Sequence, residues 1–358
     1  RDTDRSRGLG DVYKRQRQLY LNKKTLDSFR TQVEEIKEEG MRQNGFAPVV
    51  ICQLTHSGRY AKPEGVPAPL IAYNNPLFEK EQPIDKSRIV SDDKLKRLEE
   101  AFGATALLAQ EAGFDGADIK CCHRYLLSEM LSAFTRPGDY GGAFENRTRL
   151  LRNAIFAAKG ATSGEFLITS RVNLYDGFAY PYGFGVSPTG GLMPDLTEPK
   201  ALVTLLHEEL RLPMLDFTIG NPYVNPHVNR PYDGGPYVPD EHPLEGVARM
   251  LGCIGQLKKA FPSLCVIGSG FSYLRQFSPY LAAGAVEQSV CDLAGFGRMA
   301  FAYPDFPRDT LYGEGFNARK TCIACGKCSA LMRAGTVAGC VVRDGETYLP
   351  FYQAHCCV

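Results

Sequence analysis

Hydrophobic positions along this chain switch between helical and strand spacing, and the switch repeats. From Lys24 to Arg42, Leu26, Phe29, Val33 and Ile36 recur on one helical face. The apolar run Pro48–Leu54 then reads as a buried strand. The same order returns five times. A helix over Asp93–Ala112 precedes a strand over Gly116–Cys121, and Phe144–Lys159 precedes Glu165–Val172. Glu198–Glu209 precedes Met214–Ile219, Leu244–Ala260 precedes Leu264–Gly268, and Tyr273–Ala283 precedes Val290–Phe296. Strands alternating with helices predict parallel βα units. Six such strands exceed a small sheet with one switch point and fit most of an eight-stranded (β/α) barrel.

In barrels of this kind chemistry sits just beyond the C-terminal strand ends. Each predicted strand here runs into polar residues or glycine: Gln53 to His56, Lys120 to Tyr125, Arg171, Gly220-Asn221, Gly268 to Gly270, and Gly297-Arg298. The fold reading and the site reading therefore point to the same positions.

Charge and composition narrow the class. A formal net charge of +1 over 358 residues gives no electrostatic footprint for nucleic acid or an anionic membrane surface. No apolar run approaches the ~20 residues of a membrane span. The twelve cysteines include a tight cluster and the adjacent pairs Cys121-Cys122 and Cys356-Cys357, which are poor disulfide partners. A reduced, cytoplasmic compartment is expected. The charged stretch 1–18 has no hydrophobic periodicity and reads as a disordered or foreign segment.

Four cysteines carry the strongest local signal. Cys322, Cys325, Cys328 and Cys340 are spaced C-x2-C-x2-C-x11-C. One loop can bring three such thiolates to one metal centre. Ferredoxin-type spacing matches better than paired zinc knuckles, and structural zinc is the competing reading. Elsewhere, Gln53 can meet both a donor and an acceptor on a planar heterocycle edge. Lys120 and His123 can donate to a substrate oxygen and Tyr125 can deliver a proton. In Tyr140–Arg149, Glu145 and Arg147 are expected to pair and brace the start of a helix. Gly268, Gly270, Gly297 and Arg298 end consecutive late strands and suit a phosphate cradle. No G-x-G-x-x-G follows a strand, so the phosphate is that of a mononucleotide. The Pro- and Asn-rich loop Gly220–Asp233 offers Asn221, Tyr223, His227 and Arg230 as substrate-binding candidates. For each motif alone, a polar loop or a core side chain is the plain alternative.

Taken in order, Gln53–Arg59, Asp118–Leu126, Tyr140–Arg149, Ser170–Asp176, Ile267–Gly270, Gly295–Asp305 and the cysteine cluster resemble the old yellow enzyme family of flavin barrels. The subgroup resembled includes 2,4-dienoyl-CoA reductase and trimethylamine dehydrogenase. The resemblance implies FMN, with Gln53 and Arg171 at the ring and Gly268, Gly270, Gly297 and Arg298 at the phosphate. It implies Tyr125 as proton donor, with Lys120 and His123 at the substrate carbonyl. Lys120 departs from the histidine more usual there, which favours an enolate-like or carboxylate oxygen. Cys322, Cys325, Cys328 and Cys340 match the 4Fe–4S ligands of the subgroup.

The implied protein is an FMN-dependent reductase of activated C=C bonds in small unsaturated carbonyl, enoate or dienoyl thioester substrates, with NAD(P)H as electron donor. An amine dehydrogenase or a non-catalytic zinc-stapled barrel are the alternatives. Three segments are expected: residues 1–18, an FMN barrel over 19–312 lacking its first two strands, and a 4Fe–4S segment over 313–358. FAD is expected only in a separate or missing domain, so an electron-donating flavoprotein partner is a further expectation. A homo-oligomer is compatible with the sequence. Open barrel edges predict poor folding of this polypeptide alone.

Overall fold

The computed structural model describes residues 19–62, 66–80, 82–235, 237–313 and 316–357. It also pairs the backbone of β1 (Asp2–Thr3) antiparallel with that of β2 (Arg15–Gln16). Apart from that ladder, the segment expected to be disordered or foreign lies outside the described residues. The chain divides into two compact units, 1–221 and 222–358.

The first unit is built on four parallel strands: β3 (Ile51–Leu54), β4 (Gly116–Ile119), β5 (Leu167–Asn173) and β6 (Met214–Thr218). Their register places Gln53 beside Asp118, Asp118 beside Thr169, and Arg171 beside Asp216. Side chains alternate across a strand, so this register sorts them into two faces. Leu54, Ala117, Ile119, Ile168, Val172, Leu215 and Phe217 form one buried apolar face. Gln53, Asp118, Thr169, Arg171 and Asp216 share the other, which is polar.

The helices follow from local chemistry. Helix Leu26–Asn44 buries Phe29 and Val33 and ends at Gly45, whose φ of 79° suits glycine and lets its N–H reach the Met41 carbonyl. Helix Asp92–Glu111 starts at Ser91, whose Oγ accepts from Lys94 N at 3.3 Å, with Asp92 and Asp93 in the first turn. It packs on helix Arg149–Ala161 at Gly103, where a Cβ would stand 2.9 Å from the Ala157 carbonyl oxygen. The helix expected over Phe144–Lys159 is instead split at Thr148 into Phe144–Arg147 and Arg149–Ala161. The Thr148 hydroxyl donates to the Phe144 carbonyl at 2.9 Å across the break. Arg147 does not pair with Glu145 as expected. It is buried and donates to Glu198 and to the carbonyls of Leu131 and Gly142, bracing the loop by another route.

The second unit carries helix Pro243–Ala260 and two parallel strands, β7 (Cys265–Gly268) and β8 (Leu293–Ala294). β8 is much shorter than the expected Val290–Phe296. The Asp292 carboxylate takes the Val266 N–H at 2.7 Å and the Lys258 ammonium at 2.9 Å, doing by side chain what a longer ladder would do by backbone. Helix Lys327–Arg333 follows Cys322 and Cys325 and carries Cys328 in its first turn, and helix Gly345–Cys356 follows Cys340. Among the described residues no helix is long and apolar enough to cross a membrane.

Candidate active site and cysteine cavity

In the first unit the site grows from the polar face at the end of β4. After Ile119 the chain turns through His123 and Arg124, both left-handed with φ of 63° and 56°. Such a pair in non-glycine residues costs on the order of 1–3 kcal/mol each and needs support. Arg124 supplies it. Fully buried, its Nη1 donates to Asp176 Oδ2 at 3.0 Å, to the Tyr182 carbonyl at 3.0 Å and to Ser132 Oγ at 2.5 Å. The neighbouring loop is pressed against the turn. Gly58 has φ +54°, and a Cβ there would come within 2.8 Å of Leu126 N.

This turn brings Lys120 and Tyr125 together, with Lys120 Nζ 3.7 Å from the centre of the Tyr125 ring. Tyr125 is buried at 6% exposure, and its ring lies 5.7 Å from that of Tyr60. Tyr60 Oη in turn accepts from Asn221 Nδ2 at 2.9 Å, so Asn221 joins the group. His123 sits on the same loop. Burial and then the charges of Arg171 and Lys120 push its imidazole well below its ordinary pKa, leaving it neutral.

Gln53 and Arg171 lie on the polar face below. Gln53 Nε2 donates to Asp118 Oδ1 at 3.1 Å, and Arg171 Nε is 3.1 Å from Asp216 Oδ2. Burial, then the Asp216 charge, raises the Asp118 carboxyl to about 7, against the Gln53 hydrogen bond and Arg171. Burial lowers the pKa of Arg171, and Asp216, Cys122 and Asp118 more than offset it. Burial holds Cys122 up at about 11, a protonated thiol. Thr55 Oγ1 is enclosed with no hydrogen-bond partner. Sequence reasoning had not singled out Tyr60, Asp118 or Asp216. Asp118 was findable, because it stands two residues before Lys120 and so shares its face.

In the second unit, Gly268 closes β7 and accepts Gly295 N–H at 2.7 Å. Gly270 has φ +103°, and a Cβ there would lie 2.7 Å from Met250 Sδ. Gly297 faces open space, and Arg298 Nη1 is enclosed without a partner. Both fit an anion cradle.

Cys322, Cys325, Cys328 and Cys340 line one small cavity together with Arg230 and Arg298. Left-handed Ala324 (φ 56°) and Gly326 (φ 76°) bend the backbone between Cys322 and Cys328, the segment that lines this cavity. The Ala324 N–H points at Cys322 Sγ, 3.4 Å away. Burial raises the Cys322 and Cys328 thiols. Among the described residues no three Cys, His, Asp or Glu side chains converge on a single ion position.

The remaining loop candidates separate. His227 Nδ1 is 2.6 Å from Tyr237 Oη and its Nε2 is 3.8 Å from Glu241, which Arg249 also grips. Tyr223 is half-buried. Arg230, read from sequence as a substrate contact, stands at the cysteine cavity.

Residues 8–184 match the NADH:flavin oxidoreductase / NADH oxidase family. An NADPH dehydrogenase of Clostridium acetobutylicum is 33% identical over 158 residues, 44% of this chain and 42% of that protein. The chain thus spans about two fifths of the length of that relative. Two solved structures share the fold. One is 2-naphthoyl-CoA reductase in complex with 2-naphthoyl-CoA, at TM-score 0.70 and 19% identity, over 91% of this chain and 46% of that one. The other is the old yellow enzyme homologue from Zymomonas mobilis, at TM-score 0.57 and 20% identity, over 83% and 74%. The parallel α/β architecture is that of these flavin-enzyme barrels, as the strand pattern led us to expect. Over residues 8–184, just under half of its length, the chain is thus similar to the NADH:flavin oxidoreductase / NADH oxidase family.

Proposed function

We propose that this chain is the FMN- and cluster-bearing part of an ene-reductase that draws electrons from NAD(P)H and reduces a C=C bond conjugated to a carbonyl. The observation that carries this reading is the Lys120 ammonium 3.7 Å over the Tyr125 ring, on a strand-end loop that also holds a neutral His123. A cation, an N–H donor and a phenol on one loop support a shared role at a substrate carbonyl.

FMN, when bound, supplies the hydride for the β carbon. Gln53, Arg171 and the enclosed Thr55 hydroxyl would hold its ring. Gly268, Gly270, Gly297 and Arg298 would hold its phosphate, with Arg298 Nη1 enclosed and awaiting an acceptor. Lys120 and His123 stabilise the enolate oxygen as charge develops on it. Tyr125 Oη gives its proton to the α carbon. Asn221, through Tyr60, fixes the wall beside Tyr125. An ammonium in place of an imidazole suits a carboxylate or thioester oxygen, so enoates and dienoyl thioesters are the preferred substrate class.

The four cysteines are proposed as ligands of a 4Fe–4S cluster. They line one cavity, and their C-x2-C-x2-C-x11-C spacing supports a multi-iron centre over a single zinc. The barrel over 19–312 would then pass electrons to or from a segment over 313–358, and a flavoprotein partner is a suitable donor. All twelve cysteines are free, which fits a reducing cytoplasm.

The test is anaerobic. The holoprotein should show flavin bands over a broad iron–sulfur absorption that NAD(P)H bleaches. It should then reduce an α,β-unsaturated thioester or acid. Tyr125→Phe should slow the substrate half-reaction by about 10²–10⁴-fold while sparing flavin reduction. Equal loss in both half-reactions removes Tyr125 from its role, and a colourless protein removes the whole reading.

A further inference from the structure

We propose that Arg230 is a positioning residue that raises the reduction potential of the iron–sulfur centre, by placing a fixed positive charge and N–H donors at the wall of the cysteine cavity. The inference rests on reading the four cysteines as cluster ligands.

Arg230 follows the short helix Pro226–Asn229, and its own N–H closes onto the Pro226 carbonyl at 2.7 Å. That bond fixes where the side chain begins. The side chain reaches the cavity shared by Cys322, Cys325, Cys328 and Cys340. A Cβ on Gly326, inside the Cys325–Cys328 turn, would lie 3.8 Å from Arg230 Nη2. The guanidinium therefore lies close against the loop that carries three of the four thiols.

Its Nε and Nη1 are shut off from solvent and have no hydrogen-bond partner. No carboxylate among the described residues forms an ion pair with it. Enclosing a cation costs several kcal/mol unless an opposite charge offsets it. The nearby anionic candidates are sulfurs. A centre held by four thiolates is an anion that becomes more negative by one on accepting an electron. A fixed cation beside it favours the reduced form, and N–H donors to sulfur act the same way. Arg298 also lines the cavity, but a phosphate already accounts for it.

The experiment is a redox titration of the cluster in the holoprotein, followed by EPR, with iron and acid-labile sulfide measured on each sample. Wild type, Arg230→Gln and Arg230→Lys are compared. Arg230→Gln should keep its iron and shift the one-electron equilibrium at least tenfold toward the oxidised form, about 59 mV lower. Arg230→Lys, which keeps the charge, should stay within about threefold of wild type. If the Gln variant alone loses iron, Arg230 is needed to hold the centre rather than to set its potential, and the proposal is overturned. Two variants that hold iron at the wild-type potential overturn the proposal. So does loss of iron from both, which would make Arg230 a packing residue. Wild-type protein without iron overturns the cluster reading itself, an outcome distinct from failure of Arg230.

Discussion

Arg124 and Arg230 are both guanidinium groups drawn into the protein, one in each unit, and their surroundings differ. Arg124 has a carboxylate, a carbonyl and a hydroxyl on one nitrogen, and the Tyr73 hydroxyl at 3.4 Å from the other. The first unit neutralises it internally, and the result is a rigid turn that presents Lys120, His123 and Tyr125. Both have an enclosed Nε without an acceptor, but Arg230 has no carboxylate partner among the described residues and stands beside four cysteines. A buried charge that its own protein satisfies is scaffold. One left unsatisfied marks where something else is bound.

The contrast can be broken most directly by removing each charge. Arg124→Met strands the fully buried Asp176 carboxylate and should cost about 3–5 kcal/mol in denaturant unfolding. Arg230→Met in iron-free protein removes a cation that nothing offsets, so its cost should be below ~1 kcal/mol or reversed in sign. Equal penalties would erase the distinction between the two sites.

A smaller effect concerns the cation that Arg124 helps to place. Lys120→Met should lower turnover of an unsaturated acid or thioester by about 10²-fold, the scale of one lost oxyanion donor. Flavin content should not change, because Lys120 is not among the residues assigned to the flavin. A loss confined to flavin binding would move Lys120 from the substrate to the cofactor.

Periodicity located the elements well because helices and strands leave a signal every few residues. The helix expected at Asp93–Ala112 is found at Asp92–Glu111, and the strand expected at Met214–Ile219 at Met214–Thr218. What failed was what side chains do to backbone. The Thr148 hydroxyl splits one helix, and the Asp292 carboxylate replaces part of a ladder. The site was legible where its members are close in sequence, as in Lys120, His123 and Tyr125. It was illegible where they are not. Tyr60 meets Tyr125 and Asn221 across 65 and 161 positions, and no local pattern announces that. Arg230 was read as a substrate contact from its loop, because its distance from Cys322 in sequence hides the shared cavity.

Asp118 is the one carboxylate of the polar face whose burial is incompletely offset, and it sharpens the comparison from the other sign of charge. Burial, then Asp216, raises its pKa to about 7, well above the ordinary carboxyl value. The folded protein therefore holds a proton between about pH 4 and 7 that the unfolded chain has released. Stability from this group is greatest below about pH 4 and declines as pH rises to about 7. Asp118→Asn keeps the shape and removes the titration. Its unfolding free energy in urea should match wild type below about pH 4 and exceed it at pH 8 by up to about 4 kcal/mol. Parallel pH profiles for the two proteins would show that Gln53 and Arg171 already compensate the burial of Asp118.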